Sequence, residues 1–124
     1  MAVSPLAISP IATRASGSTV LVSVGRGVVS AHALPTDNKG NAYTQLGATH
    51  IYTNWQNSGT ALYACARASG GTGHVVTAPK SVPADETTLS VVEVANGGAL
   101  GEVKWNEVLA GNPLAPQFGG AVIT

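Results

Sequence analysis

The side chains best able to do chemistry in this chain are three histidines, His32, His50 and His74, six acidic residues and one cysteine, Cys65. Three imidazoles could hold zinc. The histidines are far apart, however, and no Cys/His pair falls at a metal-ligand spacing, so the expectation is no metal and no cofactor. Asp37, Asn38 and Asn41 could offer oxygens to calcium, but the loop lacks the acidic ladder and closing Glu of a calcium hand. The same residues are explained by a turn in which Asp/Asn side chains cap their own backbone and Gly40 supplies a positive φ. Ser69 to Gly73 is glycine-rich yet has no following Lys-Ser/Thr and no helix, which argues for a hairpin corner over a phosphate loop. Glu93 lies in an apolar strand-like run and must face solvent, be paired, for example with Arg67 or Lys104, or carry a raised pKa. Sugar hydrolysis would need a second carboxylate at a set distance, and no nucleophile elbow accompanies the histidines. Cys65 sits between alanines as a small core hydrophobe. The expectation is a protein that is not an enzyme.

A different chemistry is offered by Tyr52 and Trp55, which flank a loop containing Thr53, Asn54, Gln56 and Asn57. Aromatic faces beside amides make a platform for stacking a sugar or docking a protein. The competing expectation is that Trp55 simply covers one end of the fold. Trp105-Asn106-Glu107 carries the same pair of readings.

The elements that position these residues read as strands. Thr19 to Val24 is β-branched and apolar between glycine-serine and glycine-arginine corners, a buried strand that Val28 to Ala33 could continue beyond a bulge. Tyr43 to Leu46 and Thr49 to Thr53 alternate around Gly47. Thr60 to Arg67 is apolar on both faces, hence central. His74 to Ala78 and Thr87 to Ala95 are further strands; Leu100 to Leu109 is open between strand and helical turn, and Gly119 to Thr124 begins another strand. Short strands at regular spacing with no amphipathic helix predict one all-β domain, an antiparallel β-sandwich of jelly-roll or immunoglobulin-like type, with a barrel as the alternative.

Residues 1–15 read as an extended arm, since Pro5 and Pro10 disfavour helix, and residues 16–124 as the sandwich. Val3, Leu6, Ile8 and Ile11 are too apolar for a free tail. The arm therefore lies on its own domain, or on a neighbouring subunit as an assembly arm.

Composition narrows the role. Of 124 residues 44% are hydrophobic but only 10% charged, with six basic and six acidic residues giving a net charge of zero. The missing charge is replaced by small polar residues, which suits a virion-surface or extracellular protein. Scattered Lys and Arg provide no basic stripe for nucleic acid. No run approaches the eighteen or so apolar residues of a membrane span, and the N-terminus lacks the early basic residue of a signal peptide. A lone cysteine forms no internal disulfide.

One resemblance emerges over roughly residues 19–98. The turn Asp37-Asn38-Lys39-Gly40-Asn41-Ala42-Tyr43-Thr44, the strand Leu62-Tyr63, the corner Gly70-Gly71 leading into Val75-Val76-Thr77, and Val91-Val92-Glu93-Val94 follow in order. This pattern resembles β-sandwich domains of bacterial secreted or surface proteins and of phage structural proteins. The resemblance implies fold and brings no catalytic residue with it. The expected function is a non-enzymatic structural subunit of a virion surface, decoration-type, or of an extracellular filament. Its expected partners are copies of itself or a larger assembly. The alternative is a carbohydrate-binding module using Tyr52, Trp55, Asn54 and Asn57, with a glycan as partner.

Overall fold

The computed structural model describes residues 5–29, 33–80, 82, 85–97, 101, 103–105 and 107. Its architecture is all-β, with two antiparallel sheets packed as a sandwich. The strands are β1 (Leu6–Ala7), β2 (Ser16–Arg26), β3 (Thr36–Asp37), β4 (Thr44–Ile51), β5 (Gly59–Ser69), β6 (Val76–Ala78) and β7 (Thr87–Val94). The small sheet has the order β1-β6-β3 and the large one β4-β5-β2-β7. These are two separate sheets, so among the described residues the sandwich holds and the closed barrel does not.

Period-two patterning explains the core. On β2, Val20, Val22 and Val24 point inward; opposite them in register stand Ala61, Tyr63 and Cys65 of β5 and Leu89, Val91 and Glu93 of β7. Val76 and Ala78 of β6 close the core from the other sheet, with Tyr43 and Ile8 beside them. Strand β5 is central, as its two apolar faces require, with β4 on one side and β2 on the other.

Several boundaries differ from the sequence reading. Strand β2 ends at Arg26, and Val28–Val29 do not extend it: the Val28 amide donates to Asp85 Oδ1 and the Val29 amide to the Asn57 carbonyl. Those bonds draw the backbone off the ladder. His32 lies outside the described residues. The two segments around Gly47 are one strand, β4, whose register shifts between Leu46 and His50. His74 precedes β6, and its backbone meets the arm through an isolated bridge to Ile11. The corner from Ser69 to Gly73 is no hairpin, because β5 and β6 belong to different sheets; it carries the chain across the sandwich. The Gly119 to Thr124 segment and half of Leu100 to Leu109 lie outside the described residues.

The described part of the arm lies along its own domain. Leu6 pairs with Ala78 and Ala7 with Thr77, and the Ile8 amide donates to the Val76 carbonyl at 3.0 Å. Ile8 packs on the core, whereas Ile11 is 36% exposed. Val3 is outside the described residues.

Candidate functional site

Three constellations stand out. The first is buried. Asp37 Oδ1 accepts from the amides of Lys39 (2.9 Å) and Asn41 (3.0 Å), the side-chain-capped turn expected from the sequence. Gly40 takes φ +77, a left-handed conformation that suits glycine. Asp37 Oδ2 accepts from Asn41 Nδ2 (2.6 Å), the Tyr43 hydroxyl (2.7 Å) and His74 Nε2 (2.9 Å). Burial pushes the Asp37 carboxyl up, but the Asn41, Tyr43 and His74 hydrogen bonds outweigh it and hold the group well below the usual carboxylate range. Burial, then the neighbouring Asp37 carboxylate, pushes the Tyr43 hydroxyl far up. An ionised carboxylate only accepts, so His74 Nε2 carries a proton toward Asp37. On the ring's other side Nδ1 meets Thr13 Oγ1 at 3.0 Å.

Thr13, His74 and Asp37 therefore stand in the order hydroxyl, imidazole, carboxylate that nucleophilic catalysis uses. Their setting is structural. His74 and the Asp37 side chain are fully buried, and Thr13 Oγ1 already accepts from the Gly71 amide. The chain of bonds ties the arm, the turn before β4 and the crossing to β6 into one unit. The sequence places Asp37 in its turn but gives no sign of Thr13 or of His74's burial, because those contacts join residues 37 and 61 positions apart.

The second constellation is the outer face of the large sheet. Register assigns to it Thr19, Leu21, Ser23 and Gly25 of β2, Thr60, Leu62 and Ala64 of β5, Thr44, Leu46 and His50 of β4, and Thr88, Ser90, Val92 and Val94 of β7. Its one ionisable side chain is His50, at the β4 edge, which meets Glu107 at 3.1 Å; the β2 and β7 positions carry no charge. Val92 is 56% exposed and Val94 39%. Glu93, between them, faces the other side: its Oε1 accepts from the Ser18 hydroxyl (2.6 Å) and the Arg14 amide (2.7 Å). Those two bonds lower its pKa, where burial without a partner would have raised it. Strand alternation thus turns the one charge of β7 away from the valines.

The third is an open cleft of about 270 Å³. The end of β2 gives its floor, Gly25 to Gly27; the β4–β5 loop gives Tyr52, Trp55 and Ser58; the start of β7 gives Glu86 and Thr88. Three backbone bonds brace the loop: Tyr52 N to Ser58 O, Trp55 N to Tyr52 O, and Ser58 N to Trp55 O. Trp55 is 66% exposed, so it does not cover an end of the sandwich. Tyr52 is half-buried, with its hydroxyl bonded to Thr60 Oγ1. Asn54 and Asn57 are exposed on the same loop but do not line the cleft. Beneath it Arg26 Nη1 donates to Asp85 Oδ2 at 2.9 Å, a pair with both side chains essentially buried. Burial raises the Asp85 carboxyl, and the Val28 amide and Arg26 more than compensate, leaving it lowered.

Trp105 stacks on His50 with centroids 5.3 Å apart and planes 15° from parallel. Glu107 accepts from His50 Nε2 (3.1 Å) and from the amide and hydroxyl of Thr53. Burial raises the Glu107 carboxyl, and these bonds outweigh it and lower it. Glu107 therefore ties the start of the aromatic loop, and Trp105 lies on His50 beside it. Its neighbour Asn106 lies outside the described residues.

No group of three or more metal-ligating side chains occurs among the described residues, and no helix there is long and apolar enough to cross a membrane. Gly25, Ser58, Glu86 and Thr88 were not singled out by the sequence. Its one signal was the Gly25-Arg26-Gly27 corner, since glycine in a strand marks a bulge or a close approach. Compared with known proteins, the chain matches no family model, no curated sequence and no solved structure.

Proposed function

We propose that this protein is a non-enzymatic structural subunit that associates with copies of itself through the outer face of its large sheet, as a component of a virion surface or an extracellular filament. The observation that carries this reading is the uncharged β2–β7 part of that face, with Val92 and Val94 exposed side by side. A sheet face turned to water is ordinarily polar, and exposed apolar patches mark interaction surfaces. The occupant is a second copy because the chain's formal net charge is zero, so identical faces meet without repulsion. The resemblance of the turn-and-strand pattern to phage and bacterial surface domains supports the same role.

Light scattering across a concentration series tests it. The expected result is a molar mass that rises with concentration, and a Val92→Lys variant that stays monomeric with an unchanged denaturation midpoint. A wild-type mass equal to one chain at every concentration would reject self-assembly.

A further inference from the structure

We propose that the cleft between Trp55, Gly25 and Thr88 binds a single neutral pyranose unit. The cleft opens on the same face of the large sheet as Val92 and Val94, at its opposite end: Thr88 and Val94 are six strand positions apart, about 20 Å along β7. The monomeric Val92→Lys chain therefore tests the cleft separately from self-assembly.

The apolar part of the site is Trp55. Leaving two-thirds of an indole in water forfeits its burial energy, and the braced loop fixes it there. A flat, exposed aromatic face complements the C–H face of a sugar ring while the sugar's hydroxyls remain free. Tyr52 is preorganised beside it, anchored to Thr60 and set edge-on to His50 at 6.2 Å.

The space exists because residue 25 has no side chain. A Cβ there would come within 2.5 Å of Thr88 Oγ1 and 3.6 Å of the Tyr52 hydroxyl. Any other residue would push into the floor. At about 270 Å³ the cleft lies just below the common range for small-molecule sites, which fits one ring and not an extended ligand.

The polar rim sets the ligand class. The Ser58 hydroxyl donates to the Gly27 carbonyl at 2.9 Å, which leaves its lone pairs to accept. Thr88 can donate or accept, and the exposed Glu86 carboxylate accepts. This mixture suits a ligand with several hydroxyls. Arg26 is balanced by Asp85, so the rim's unbalanced charge is that of Glu86, which disfavours phosphates and carboxylates. A quaternary ammonium ion would use Trp55 and Glu86 but leave the hydroxyl-bearing rim idle.

The test is an NMR titration of the full chain with methyl glycosides of glucose, galactose, mannose and N-acetylglucosamine, with inorganic phosphate and tetramethylammonium run in parallel. At least one glycoside should shift the Trp55 indole signal together with the amides of Gly25, Gly27 and Thr88, saturating in the millimolar range. Trp55→Ala should weaken that binding about tenfold or more at an unchanged denaturation midpoint, and Trp55→Phe should recover part of it. The proposal is overturned if no glycoside shifts these signals, if the shifts fall elsewhere, or if tetramethylammonium or phosphate saturates the cleft while the glycosides do not.

Discussion

At the scale of single residues, Asp37 holds the most interactions together. Its buried carboxylate serves two backbone amides, Asn41, Tyr43 and His74. Removing it leaves His74 and Tyr43 with donors and no acceptor in the interior, a more costly state than an absent bond. Asp37→Ala should cost about 3 kcal/mol or more in urea unfolding. Tyr43→Phe, which deletes one donor and strands nothing charged, should cost about half that. Equal and small effects from both would mean the network contributes little to stability. The local half of this network was legible: Asp37, Gly40 and Asn41 announce a capped turn. The distal half was not, because nothing local to Thr13 or His74 distinguishes a buried relay from an ordinary polar strand position.

Among the elements, the arm and the crossing corner behave least as the sequence suggests. Strand β6 has only three residues, and its neighbours in the small sheet are the two-residue strands β1 and β3. So short a strand is stable only when flanked. The arm flanks it, fills the core with Ile8, caps His74 with Thr13 and holds Glu93 with the Arg14 amide. Deleting residues 1–15 should therefore lower the thermal midpoint sharply and blunt the cooperativity of unfolding. An unchanged melt by circular dichroism would show that the arm is dispensable to the fold. Proline punctuation and apolar content predicted an extended, docked arm and left open where it docks, since an apolar strand pairs equally well with its own sheet or another's.

For the whole molecule, the carboxylates govern the acid limit. Asp37 and Asp85 sit below their ordinary value of 3.8, and Glu93 and Glu107 below 4.5. Because the folded values are depressed, these groups bind fewer protons folded than unfolded. Their stabilisation is complete above the unfolded values and is lost as pH falls through the folded ones. The urea midpoint should be level above about pH 5 and fall steadily below about pH 4. Tyr43 and Tyr63 run the other way: burial raises both above 10.0, so their neutral forms favour the fold. Stability should decline again once pH exceeds the unfolded tyrosine value. A midpoint that stays level down to pH 2 would show that the buried Asp37 and Asp85 are not held as the structure shows.

The sequence by itself determined the class of fold, the central place of β5, the strand at β2 and the capped turn at Asp37. Each follows from period-two alternation or from the local chemistry of Asp, Asn and Gly, which need no distant partner. It also marked Tyr52 and Trp55, because an aromatic pair in a polar loop is visible without a structure. Only the tertiary structure decided that Trp55 projects from a cleft floored by Gly25, that Glu93 turns inward to Ser18, and that Thr13, His74 and Asp37 meet. Those outcomes depend on which strands become neighbours across the sandwich, and strand pairing is a long-range choice that alternation within a segment does not encode.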